Sequence, residues 1–127
     1  MNYESFISQV VKLPFINDEN AADSAIKAVL GMLASSVGEK EARRLTEVLP
    51  SELNIVTLRE HQQAPIQHSA EQFMESVATQ LNLGHLHAKD LVSRVFHCVK
   101  ESPEGAKTLD GLREALPPDL ADVVDLA

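Results

Sequence analysis

The chain has 127 residues, 44% hydrophobic and 24% charged, a balance that suits one soluble domain and excludes a disordered or fibrous chain. Eleven Lys and Arg against nineteen Asp and Glu give a formal charge of -8, a field that repels phosphate backbones and anionic headgroups and so argues against nucleic acid and membrane as partners. The lone Cys98 has no partner for a disulfide, Met1-Asn2-Tyr3-Glu4 lacks the start of a signal peptide, and no apolar run reaches the ~20 residues of a membrane span, which together point to the cytoplasm.

In chain order, Tyr3, Phe6, Ile7, Val10 and Val11 recur at helical spacing, and Pro14 ends that helix because its ring cannot continue the hydrogen-bond ladder. Asp18 is an N-cap for a second helix, with Ala22, Ile26, Val29 and Leu33 as its buried stripe, and Gly38 suits the break after it. A third helix turns Ala42, Leu45 and Leu49 inward. Its outer face carries Lys40, Arg43, Arg44 and Glu47, with Arg43 and Glu47 placed as an i,i+4 ion pair. Pro50 fits the first turn of a fourth helix. Glu60 to His68 is polar, holds Pro65 and lacks an apolar face, so it reads as a connector. Beyond it, Ser69 and Gln72 form a capping-box pattern opening a helix with Phe73, Val77 and Leu81 on one face. Leu91, Val92, Val95, Phe96 and Val99 stripe the next, which ends near Pro103. Leu109, Leu112 and Leu116 face inward from another, and Leu120, Val123 and Val124 from the last. No run alternates with period two, so the fold is expected to be all-α.

Sliding the sequence along itself by 67 positions gives an ungapped match from Phe6 to Val56. Phe6 falls on Phe73, Val10 on Val77, Asp23 on Asp90, Gly38 on Gly105, Leu45 on Leu112 and Glu47 on Glu114. The segment Leu49-Pro50-Ser51-Glu52-Leu53 falls on Leu116-Pro117-Pro118-Asp119-Leu120. Chance rarely keeps one register that long, so the chain reads as a duplication: two tandem four-helix repeats, about 1–59 and 69–127, joined by a linker over 60–68. A four-helix unit of about sixty residues is marginal alone, so the two are expected to pack about a pseudo-twofold axis as one domain.

This duplicated unit, with Phe6 and Phe73 opening it, Ala21-to-Leu33 and Ala88-to-Val99 as its long helix and Leu49-Pro50 and Leu116-Pro117 near its end, resembles the bacterial DUF2267 family over nearly the whole chain. The resemblance implies a small helical bacterial protein whose biochemical role is not established. It supplies no catalytic residue to carry over.

Reactive side chains offer few constellations. His61, His68, His85 and His87 fall in or beside expected loops, and His85 with His87 and Asp90 is the one group that could begin a metal site. No CxxC or HExxH motif supports it. His97 and Cys98 are adjacent, so on a helix they point about 100° apart and make a poor base and nucleophile. Ser35, Ser36, Ser51 and Ser69 cluster at helix ends, where capping accounts for them, and Glu47 and Glu114 lie on charged faces. The five glycines are scattered, without a phosphate-binding loop. Lys40, Arg43 and Arg44 form a local basic cluster whose counterparts are Lys107, Asp110 and Gly111, so no duplicated basic surface exists for DNA.

What the halves share is core, cap and turn residues. The reading is therefore a non-enzymatic helical interaction or scaffold module without a cofactor, binding another protein or a second copy of itself through an apolar groove between the repeats or at a bundle edge. Phe15, Ile16, Leu83 and Leu86 are its candidate contact residues. The competing reading is a small-ligand- or metal-binding protein, using His85, His87 and Asp90 or an apolar pocket beside Phe73 and Phe96.

Overall fold

The structure, a computed structural model, describes residues 2–54, 58 and 69–127, and these are helices and connections without a strand. The expected connector 60–68, with His61 and His68, lies outside the described residues. Seven α-helices are described: α1 (Tyr3–Val10), α2 (Glu19–Ser35), α3 (Glu39–Val48), α4 (Ala70–Leu81), α5 (His85–Lys100), α6 (Pro103–Leu112) and α7 (Pro118–Leu126). Single 3₁₀ turns occupy Ser51–Leu53 and Arg113–Ala115.

Each boundary has a local chemical cause. Asn2 caps α1 through Oδ1 and the Glu4 N–H, and Asp18 caps α2 by accepting from the Ala21 N–H at 2.8 Å. The capping box is present at α4: the Gln72 N–H donates to Ser69 Oγ at 3.2 Å, and the Ser69 N–H donates to Gln72 Oε1 at 3.0 Å. Asn82, at φ 53°, closes α4 in the left-handed region that asparagine tolerates. Ser102 caps α6 and Pro103 opens it, so Pro103 marks a helix start rather than only the end of α5.

Two local expectations are corrected. Pro50 is not in a first helical turn: it sits one residue before its helical segment with extended ψ, near 153°, and Pro117 sits in the same way before α7, near 147°, with Pro118 at the first helical position. Arg43 pairs with Glu39, at 3.1 Å, and not with Glu47. The direction is reasonable, because an acid one turn N-terminal to a base is the better oriented pair and Glu39 also sits at the positive end of α3.

The centre of the molecule is α2 and α5. Ala22, Ala25, Ile26, Val29, Leu30, Leu33 and Ala34 are buried on α2, and Ala88, Leu91, Val92, Val95, Phe96, Cys98 and Val99 on α5. These two helices pack on each other; α1 and α4 each bridge both, α3 lies on α2, and α6 and α7 lie on α5. The remaining pairs are α3 with α6 and α4 with α7. Phe6, Phe73 and Phe96 are fully enclosed, and Phe73 and Phe96 meet at a centroid distance of 6.1 Å and 59° between rings, the tilted arrangement that aromatic quadrupoles favour. Both rings lie wholly within the core cluster of the described residues. Leu45, Leu53, Leu109, Leu112 and Leu120 complete it.

Truncating Phe96 to Ala should lower the unfolding free energy by about 3–5 kcal/mol. Ser69→Ala should lower it by about 1 kcal/mol, through loss of the cap alone. Chemical denaturation followed by circular dichroism measures both.

Candidate functional site

The histidine group does not assemble. His85 and His87 stand in the first turn of α5 rather than in a loop, because Gly84 takes the N-cap position and the helix starts at once. Residues two apart on a helix point to opposite sides, and His87 is engaged elsewhere, its ring stacked on Phe15 at 4.3 Å between centroids and 7° between planes. Among the described residues no three His, Cys, Asp or Glu side chains gather as metal ligands would.

Of the four apolar candidates, Ile16 is a core residue and is withdrawn as an exposed contact. Phe15 and Leu83 are half-buried and pack against the core, Phe15 beneath His87. Leu86 alone projects freely, 74% exposed. The loop after α1 folds back against the start of α5, which is why residues in a non-helical stretch are nonetheless covered.

Cys98 is buried while the neighbouring His97 is exposed and lies 3.7 Å from Glu101. Burial first, then the Glu101 charge, pushes the Cys98 thiol from about 9 up to about 11, with Arg94 opposing. A thiol so shifted holds its proton at neutral pH and is a poor nucleophile. Glu47 and Glu114 are exposed on the outer faces, as their positions suggest. Tyr3, on α1, donates from its hydroxyl to Asp23 on α2, and Lys27 Nζ meets the same carboxylate at 3.1 Å. Burial and the Asp23 carboxylate raise the Tyr3 phenol well above its ordinary value. This triad ties two helices together and leaves no free acid.

Two of the surface clefts among the described residues hold charged side chains and are lined from more than one helix. One, about 340 Å³, lies where α3 meets α6. Val48, Leu112 and Thr108 line it, and Glu41, Arg44, Glu47 and Lys107 stand around it, none of their side chains in a hydrogen bond or ion pair among the described residues. Gly111 lines the same cleft in the last turn of α6, and a Cβ built on it would meet nothing within 4 Å. Its φ is not positive. Neither backbone conformation nor packing requires glycine there, although glycine in a helix costs about 1 kcal/mol relative to alanine.

The other cleft, about 570 Å³, lies between α1 and α5 and is lined by Gln9, Leu13, Asp90, Ser93, Arg94, His97 and Ala127. Asp90, Ser93, Arg94 and His97 follow the i, i+3, i+4, i+7 spacing that usually defines a helix's apolar stripe. The sequence carried this signal: at the matching positions of α2, Ile26 and Leu30 stand where α5 has Ser93 and His97.

The described residues form a small all-helical bundle with an apolar interior and polar groups lining its surface clefts. A family described as an uncharacterized conserved protein, DUF2267, matches residues 3–123, and the chain belongs to that family. Among curated proteins none matches the chain. No described helix is long and apolar enough to cross a membrane.

Cys98 should resist a thiol reagent in the native protein at pH 8 and react fully once denatured. Between about pH 9 and 11 the unfolded chain loses the thiol proton that the folded chain keeps, so this group's contribution to stability falls as pH rises through that window. Cys98→Ala should flatten that part of the stability profile, read from denaturant midpoints across the range.

Proposed function

We propose that the chain is a non-enzymatic, cytoplasmic helical interaction module: two four-helix repeats related by a pseudo-twofold axis, with a partner-binding groove between them. Three features support the repeat reading. Under the 67-residue shift α1, α2 and α3 fall on α4, α5 and α6 with boundaries displaced by only a few residues. Contacts between the halves are reciprocal, α1 with α5 matching α4 with α2. The remaining contacts between halves, α2 with α5 and α3 with α6, join equivalents to each other, which is what a twofold axis produces.

The observation that carries the functional reading is the α3–α6 cleft with Gly111 in it. It lies between the proposed repeats, where Arg44 of the first half is matched by Gly111 of the second. The missing side chain leaves a recess over Val48 and Leu112 of a size that suits an apolar anchor side chain from a protein partner. Around it two acids and two bases cancel, so the rim of a chain with charge -8 presents a locally neutral face. Such a face can approach a second copy without the repulsion that opposes contact elsewhere.

Gly111→Ala should stabilise the fold by about 0.5–1 kcal/mol, since it adds helix propensity without a clash. Gly111→Leu should keep the fold and fill the recess. Light scattering after size exclusion is expected to show self-association or a complex with a purified partner that Gly111→Leu abolishes. A protein that stays monomeric and binds its partner equally well with leucine at this position rules out the groove.

A further inference from the structure

We infer that the α1–α5 cleft is a binding site for a small zwitterion of the amino-acid type, with Arg94 receiving the carboxylate and Asp90 the ammonium group. This site is separate from the α3–α6 groove, and either can fail without the other.

The two halves treat one acid–base pair differently. In the first half Asp23 is fully occupied: the Tyr3 hydroxyl donates to it and Lys27 bridges it at 3.1 Å. The 67-residue shift places Ala70, Asp90 and Arg94 on Tyr3, Asp23 and Lys27. Ala70 has no hydroxyl. Asp90 and Arg94 keep the acid-then-base i,i+4 order that favours pairing, yet among the described residues neither makes a hydrogen bond or an ion pair. Both instead line an open cleft.

The same face has changed in a second way. Ile26 and Leu30, fully buried on α2, correspond to Ser93 and His97, which line the cleft beside Asp90 and Arg94. Two core positions have thus become hydrogen-bonding ones where the pair was released. From α1, Gln9 closes the other side, its amide donating to Glu101 at 2.7 Å, and Glu101 also lies 3.7 Å from His97. Glu101 is therefore engaged, and the Ala127 carbonyl, also on the cleft wall, accepts from Lys100 Nζ at 3.5 Å, which leaves Arg94 and Asp90 as the unpaired charged side chains among the residues lining the cleft.

Those charges set the ligand class. A guanidinium offers paired donors to a carboxylate, and a carboxylate one helical turn away accepts from an ammonium group. A simple anion in the cleft would face Asp90, and a simple cation would face Arg94. A molecule bearing both charges a few bonds apart satisfies each without repulsion. Being neutral overall, it is also indifferent to the long-range field of an acidic protein.

The test is a titration of the full ¹⁵N-labelled chain, followed by amide shifts, with single L-amino acids and with acetate and methylammonium as one-charge controls. At least one amino acid should give saturable shifts at Gln9 and along Asp90 to His97, with acetate and methylammonium roughly ten-fold weaker or more. R94Q should abolish the response, D90N should remove the preference over acetate, and K27Q should leave both unchanged. R94Q and D90N break no contact, so an unaltered melting temperature shows that they fold. Absence of saturable shifts with every amino acid, equal binding of acetate, or a parental response in R94Q each overturns the proposal.

Discussion

Mutual burial of α2 and α5 is the constraint on which the rest depends. Each buries a broad apolar stripe along its length, and a helix of that kind is stable only when neighbours cover that stripe. The five shorter helices supply that cover. Isolated helices of eight to twelve residues are marginal in water, so α1, α3, α4, α6 and α7 gain most of their stability by docking on the central pair. Phe96 and Phe73 fill the space between α4 and α5, while Phe6 anchors α1. Folding of either half is therefore bound to folding of the other.

That shared scaffold leaves each half free to differ on its surface, and the differences are chemical rather than architectural. Tyr3, Asp23 and Lys27 lock α1 to α2, whereas Ala70, Asp90 and Arg94 form no such lock. Gly111 on α6 stands where α3 has Arg44, and both line the same cleft. Both changes remove a side chain or a bond and leave a concave, polar-edged surface.

The histidines show how backbone context decides chemical meaning. His85 and His87 would be able to converge only on a loop bent toward Asp90. Gly84 starts α5 early, the helix separates the two rings, and Phe15 takes the face of His87. In a similar way Cys98 looks reactive beside a histidine, but it points into the core, where loss of solvation holds its proton.

Helix content, the caps at Asp18 and Ser69 and the inward stripes were legible in the sequence, because each depends on near neighbours: spacing of 3.6 residues, or a side chain three positions from the N–H it accepts. The family was legible for the same reason. Exposure of Ile16, the partner chosen by Arg43 and the placement of the prolines were not, since they depend on which loop folds over which helix and on small differences between competing local geometries. The two clefts were least legible. Ser93 for Ile26 and Gly111 for Arg44 stand in plain view in the self-alignment, but a polar residue or a glycine becomes a cleft only when the opposing helix fails to fill the space. That is settled by the docking of α1 on α5 and of α3 on α6, contacts between segments far apart in the chain.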